Sequence, residues 1–304
     1  MQPLPARPVF VVGSPRSGTS ILTWCLGHHP NLFPVPESNW MGDFAVNVAI
    51  AYRIGAARNY YSILSAMDIP DDELFAAFGR SINDLILRHR TDLEKKRYAN
   101  RIELKLEPRW IKAASTAAGP KTRWVDGTPE YSFHIHGLRK LFPQALFIHL
   151  VRDVRAVVRS MVKFHSVTGI QLVANEEEAY RYWMRTVGAC LLAERAYGPA
   201  VLRRVRYTDL IEHSEPTMRS LLDFLGEPYA ERCLDPLELR INSSIVPLDF
   251  EINYAALNPT LVKEATQLSA EVERTTQPAD VSPQAADEMQ AAFRELVRHL
   301  ATQK

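Results

Sequence analysis

The sequence predicts an α/β protein in three layers, with a central, mostly parallel sheet and helices on both of its faces. Three observations carry this expectation. Short apolar, β-branched runs occur at Val9–Gly13, Thr122–Val125, Ala145–Val151 and Val201–Tyr207. The run at Ala145–Val151 (ALFIHLV) is apolar almost without interruption, as a strand covered on both faces must be. Helical text separates the runs, so successive strands are joined by crossovers and lie parallel.

Composition bounds the rest. The chain has 304 residues, 46% of them hydrophobic and 23% charged, enough to bury a sizeable core and incompatible with wholesale disorder. A net charge of +1 argues against a dedicated nucleic-acid binder. Cys25, Cys190 and Cys233 are odd in number and far apart, which suits neither a disulfide framework nor a zinc site and fits a reducing compartment. The apolar run before Gly13 is too short for a signal-peptide core, and no stretch approaches the ~18 apolar residues of a membrane span. The expectation is a cytoplasmic protein of one domain, residues 1–304, with a mainly helical insertion at about 40–120.

Taken in order, the first strand ends at Gly13. A loop follows, then a helix that is apolar at Ile21, Leu22, Cys25 and Leu26. The insertion opens Ala-rich and helical as far as Met67. Its Tyr52, Tyr60 and Tyr61 either wall an apolar or sugar pocket or belong to the core. From Arg88 to Arg123 it carries 11 Lys and Arg against four acids. Such a run is either a solvated helical face or a surface that receives an anion. The strand at Ala145–Val151 leads into Arg152 and a helical stretch through Lys163. Near the C-terminus Ser282-Pro283 reads as an N-cap and first turn. Met289, Ala292, Phe293, Leu296, Val297 and Leu300 then form a core stripe at helical spacing.

The loop carries the first chemical signal. Gly13-Ser-Pro-Arg-Ser-Gly18-Thr19-Ser20 has two glycines five apart, after a strand and before a helix, the spacing of a phosphate-binding loop. The nucleoside triphosphatase version needs Lys directly after the second Gly. Here Thr19 stands there, and the cation is Arg16, inside the loop. Two further segments lie downstream: Arg152 at a strand end with Ser160 eight residues on, and Tyr207-Thr-Asp209-Leu210 before an amphipathic run ending FLGEP at 224–228.

In this order and spacing, the segments resemble the sulfotransferases that use 3′-phosphoadenosine 5′-phosphosulfate (PAPS). The resemblance covers roughly residues 9–230 and leaves the last 70 or so without a motif. It implies a fold like that of the P-loop nucleoside triphosphate hydrolases and PAPS as co-substrate, with no metal required. By it, residues 15–20 (Arg16, Ser17, Gly18, Thr19 and Ser20 among them) hold the 5′-phosphosulfate. Arg152 and Ser160 bind the 3′-phosphate, and Tyr207 lies near the adenine. Arg16 is then the cation at the bridging oxygen, as in the tyrosylprotein and many bacterial branches. Glu37 stands where the tyrosylprotein branch carries its base; His134 and His136 are the alternative. Arg155, Arg159 and Lys163 are either solvated or share the phosphate.

The sequence departs from the pattern at two points. Many relatives carry Lys-Thr-Pro before the strand leading to the phosphate-binding Arg, whereas this chain reads Asp126-Gly127-Thr128-Pro129. Either Lys105 or Lys112 substitutes for that Lys, or Thr128 and backbone amides suffice, or activity is low. The loop's stacking Trp is Ile21 here, with Trp24 one turn further on. The resulting expectation is transfer of a sulfuryl group to a hydroxyl of a small-molecule or carbohydrate acceptor. The competing readings are a P-loop kinase or nucleotide hydrolase using Mg-ATP and a catalytically silent nucleotide-binding relative.

Overall fold

A computed structural model describes residues 7–103, 121–168, 171–238 and 257–302. Along the chain run β1 (Val9–Val12), α1 (Thr19–Gly27), β2 (Leu32–Pro34), α2 (Trp40–Ala56), α3 (Asp71–Glu103), β3 (Arg123–Asp126), α4 (Ile135–Leu141), β4 (Leu146–Val151), α5 (Val154–Thr168), α6 (Glu176–Tyr197), β5 (Leu202–Arg206), α7 (Tyr207–Glu212), α8 (Ser214–Leu225), α9 (Pro259–Arg274) and α10 (Pro283–Thr302). The five strands form one sheet in the order β2-β3-β1-β4-β5, and every pairing is parallel. This is the three-layer, P-loop-like architecture expected from the sequence.

Alternation along β1 builds the two outer layers. Phe10 and Val12 face one core with residues of α2, α3, α4, α6 and α10, while Val9 and Val11 face another with α1 and α8. All four are fully buried, which explains why the strand is apolar at every position. Phe10 is the hub of the first core: the rings of Trp124, Tyr131, Phe142 and Phe147 have centroids 5.2–6.0 Å from its own. A third cluster joins Val151 to α5, α6 and α9.

Four of the five strands coincide with predicted runs. The fifth, β2, has three residues and includes Pro34, which is tolerated because the strand lies at the sheet edge. At the other edge the C-terminal region seals β5. The Gln277 amide accepts from Arg204 N at 2.9 Å and donates to the Leu202 carbonyl, as a further strand would. Ser282 caps α10 as predicted, accepting from Ala285 N at 3.3 Å. In the expected stripe on α10, Ala292 is exposed. Met289 and Val297 of that stripe are buried, Phe293, Leu296 and Leu300 are half-buried, and Ala285 joins the buried face.

Between Trp40 and Glu103 the chain is mainly helical; Lys105 and Lys112 lie outside the described residues. The last two cations of its basic run do not form an anion-receiving surface. Lys121 is buried and donates to the carbonyls of Gly27 and Leu32 at 2.8 and 2.9 Å. Arg123 is buried against Glu227 at 2.7 Å and the Leu225 carbonyl at 2.8 Å.

A buried ionic network ties the sheet to α6. His149 on β4 places Nδ1 2.6 Å from Glu194 Oε1, and Arg204 on β5 donates Nε to both oxygens of the same carboxylate at 2.9 and 3.0 Å. Burial disfavours charge on His149, but Cys190 and Glu194 outweigh it and hold its pKa at about 9. Burial also opposes charge on Glu194, whose pKa nevertheless falls because His149 and Arg204 bond to it. All three cysteines are free and buried. Burial is the main cause that raises the thiol pKa of Cys25 and lifts that of Cys233 to about 12.

Removing Glu194 strands two buried cations, so Glu194→Ala should cost about 3–5 kcal/mol in urea unfolding. The raised His149 pKa fixes the sign of the pH effect. Its contribution is complete below the ordinary histidine value of about 6.5 and is lost as the pH rises through about 9. Wild-type stability should therefore fall between about pH 6.5 and 9.5, and that of Glu194→Ala should change less.

Candidate active site at the carboxyl ends of the strands

A parallel sheet sends every strand out of the same edge, and the predicted site residues gather there. Arg16 follows β1, Glu37 follows β2, Arg152 follows β4 and Tyr207 follows β5. Open α/β sheets bind ligands at this edge.

The loop after β1 is folded for an anion. Gly13, Arg16 and Gly18 all have positive φ, of 146°, 70° and 107°. Such turns aim successive N–H groups inward. Glycine accepts this conformation freely, but Arg16 pays about 1 kcal/mol for it. Gly13 N donates to Ser132 Oγ at 2.9 Å, which anchors the loop to the segment after β3. Helix α1 then starts at Thr19, after Gly18 at the N-cap, with no side-chain cap and no acid in its first turn. By contrast α6 closes its start with Asn175 and three glutamates. The amide ends of α1 thus stay available to a negative group. Within the loop, Ser17 Oγ is buried without a hydrogen-bond partner.

Two guanidinium groups meet at this loop. Arg16 donates Nε to Ser160 Oγ at 3.1 Å and lies 4.6 Å over the Phe164 ring. Arg152 donates to the Arg16 carbonyl at 3.2 Å and stacks 4.3 Å from the Tyr207 centroid. Burial and the Arg152 charge lower the Arg16 pKa, partly offset by Glu37. The Tyr207 ring also roofs Gly18, where a Cβ would meet it at 2.7 Å. The sequence-predicted residues Arg16, Ser17, Gly18, Arg152, Ser160 and Tyr207 thus form one cluster. Trp183 Nε1 donates to the Arg152 carbonyl at 3.3 Å. Ser269 of α9 accepts from Val154 N at 3.2 Å, so the C-terminal region steadies the turn that carries Arg152. Arg155 is exposed, and Arg159 and Lys163 are half-buried.

Glu37 sits at the start of α1, close enough to Arg16 for the two charges to interact. Ser20 donates to Glu37 Oε1 at 2.6 Å. Crowding by protein raises the Glu37 pKa, against the Ser20 hydrogen bond; Glu130 adds to the rise and Arg16 subtracts from it. The segment that carries Glu37 is tied to β3 through a buried carboxyl absent from the sequence expectations. Asp126 Oδ1 accepts from Thr128 N at 2.9 Å and Thr128 Oγ1 at 2.6 Å, and Thr128 Oγ1 accepts from Ser38 N at 3.1 Å. Burial lifts the Asp126 pKa to about 7, and its Oδ2 is buried without a partner. The Thr128 hydroxyl is committed to this support, so it is not free to replace the missing Lys.

Gly127 has its own reason to lack a side chain. A Cβ there would lie 2.1 Å from Thr23 Oγ1 and 3.1 Å from Thr23 Cβ, on the helix that begins at the loop. The histidines are also otherwise engaged. The His134 ring packs where a Gly42 Cβ would sit, and His136 Nδ1 lies 2.9 Å from Tyr197 Oη. Burial lowers the pKa of both. Trp24 lies beside His28, with centroids 6.5 Å apart.

Residues 8–231 match the sulfotransferase family. The chain belongs to that family. It is similar to protein-tyrosine sulfotransferase 1 of Danio rerio, 26% identical over 236 residues, or 76% of this chain and 56% of that protein. Protein-tyrosine sulfotransferase 2 of Gallus gallus is 24% identical over 239 residues, 76% of this chain and 54% of the relative. The chain thus spans little more than half the length of these two relatives. Among solved structures, the sulfotransferase domain of the Synechococcus PCC 7002 olefin synthase is 20% identical with a TM-score of 0.46, covering 99% of this chain and 98% of that one.

The packing at Gly127 gives a direct test. Gly127→Lys should not supply the missing cation; it should displace α1 and cost about 1–3 kcal/mol of stability in chemical denaturation. Adding Thr23→Ala should return part of the loss.

Proposed function

We propose that the protein transfers a sulfuryl group from PAPS to a phenolic hydroxyl of the tyrosine type. The observation that carries the donor reading is the convergence of Arg16 and Arg152 on an uncapped, glycine-turned loop, with Ser160 hydrogen-bonded to Arg16. Arginine is suited to phosphate because its planar fork donates in pairs. The open amides of α1 and the Ser17 hydroxyl fit the 5′-phosphosulfate. Arg152 with Ser160 fits the 3′-phosphate, and the Tyr207 face fits the base. Thr19 in place of the triphosphatase Lys weighs against the Mg-ATP reading.

When bound, the donor supplies an activated sulfuryl group whose S–O bond to the bridging oxygen breaks as the acceptor oxygen attacks. Glu37 takes the acceptor's proton, and its raised pKa makes it a stronger base than an ordinary carboxylate. Arg16 and the α1 amides stabilise the charge that develops on the bridging oxygen, which leaves with the nucleotide. Ser20 orients Glu37, while Asp126 and Thr128 fix the segment that carries it. A phenol, with a pKa of about 10, gives its proton to a carboxylate far more readily than an aliphatic hydroxyl does. That favours a tyrosine-type acceptor, as in the names of the relatives, over the carbohydrate or other small molecule expected from the sequence.

Thermal shift tests the donor site. The desulfonated nucleotide PAP at about 100 times its Kd adds about 2.7 kcal/mol, a rise of about 4 °C for a chain of this length. Arg152→Ala should abolish the rise. Equal stabilisation of wild type and mutant by Mg-ATP would sink the reading. For the base, Glu37→Gln should lower kcat on a tyrosine peptide by about 10²–10⁴-fold and leave PAP affinity unchanged. Turnover of sugars but not of tyrosine peptides would restore the carbohydrate acceptor.

A further inference from the structure

A cavity lies on the other side of the sheet from α1, among the helices of the Phe10 core. Its volume is about 460 Å³, within the range of about 300–1,000 Å³ found for small-molecule sites. Four helices line it, α3 through Asp71 alone and the other three with regular spacing. Ala49, Tyr52 and Arg53 come from one face of α2, and His136 and Lys140 from successive turns of α4. From α10 come Phe293, Arg294, Val297 and Arg298. Gly137 lets these helices close on one another: a Cβ there would stand 2.9 Å from both Ala45 and Phe293.

The charge on the wall is one-sided. Four cations line the cavity, and Asp71 is its one carboxylate among the described residues. Asp71 is already spent, since it and Asp72 both pair with Lys140, Asp71 at 2.9 Å. Arg298 pairs with Glu295 at 3.0 Å. Arg53 and Arg294, by contrast, have no carboxylate partner among the described residues and stand exposed at the mouth. The interior is of another character. His136 has its Nδ1 taken by Tyr197, and its ring lies against Phe293 with centroids 5.2 Å apart. Burial, then Lys140, push the His136 pKa down to about 4, with Asp72 opposing and Arg139 and Arg294 adding, so the ring is neutral. A wall of this kind combines a polar, uncharged ring and a phenyl face inside with guanidinium groups at the rim.

We infer that this cavity is a second ligand site, separate from the phosphate loop, for a small organic dianion: a phosphate monoester carried on an aromatic body. The ring system packs on Phe293 and Val297, and the ester oxygens accept from Arg53 and Arg294. The site does not depend on the sulfuryl-transfer reading, because it shares no residue with the loop.

Isothermal titration with 1-naphthyl phosphate tests it. The expected result is a saturable 1:1 complex, with 1-naphthol and inorganic phosphate each binding about tenfold more weakly or worse. The doubly substituted Arg53→Gln/Arg294→Gln protein should lose affinity by about tenfold or more while keeping its melting temperature, since both side chains are exposed. Arg16→Ala/Arg152→Ala should bind the probe as wild type does. The inference is overturned by any of three results: no saturable binding, undiminished binding in Arg53→Gln/Arg294→Gln, or loss of binding in Arg16→Ala/Arg152→Ala, which would place the probe in the phosphate loop. Inorganic phosphate binding as tightly as the ester would overturn the aromatic part and leave only an anion pocket.

Discussion

Parallel strand pairing is the constraint on which the rest of the structure depends. Because all five strands run the same way, their carboxyl ends share one edge, and the residues after them are brought together without any need to be close in sequence. Arg16 and Arg152 are 136 residues apart, yet a hydrogen bond joins the side chain of one to the backbone of the other. The same pairing requires helical crossovers on both faces. That is why β1 is apolar at every position and why its alternate residues feed two different cores.

At the shared edge, stability is given up for function. Arg16 holds a left-handed backbone that L-residues avoid, two guanidinium groups repel one another, and α1 begins without a cap. Away from that edge, particular groups are firmly paired. The carboxylate of Glu194 is bonded by both His149 and Arg204, and Gln277 closes the open side of β5. Asp126 stands between these two kinds of place. It is a buried carboxyl with one oxygen fully used and the other unpartnered, and it holds the segment of Glu37 through Thr128 and Ser38.

Much of this was legible in the sequence because it is local. A strand, two glycines five apart and a helix with no acid at its start can be read within twenty residues. Arg152–Ser160 and Tyr207–Leu210 are similarly compact signals. Features that depend on distant neighbours were not legible. Strand β2 is three residues long and includes a proline, so no periodicity marks it. Lys121 and Arg123 look like the end of a solvated basic run, and only the fold reveals the carbonyls and the Glu227 that bury them. Gly127 reads as a missing cation, whereas in the structure it is a close contact with Thr23. His149, Glu194 and Arg204 look like unrelated polar residues until β4, α6 and β5 bring them together.

The three buried thiols have a consequence of a practical kind. Cys25, Cys190 and Cys233 all lie within packed apolar clusters, and for Cys25 and Cys233 burial holds the sulfur in its unreactive, protonated form. Maleimides and iodoacetamides need an accessible sulfur, and all three are fully buried, so the folded chain is a natural blank for such reagents. One cysteine introduced on the exposed rim of a binding site would be a unique handle for a fluorophore or spin label, with no native cysteine to remove first.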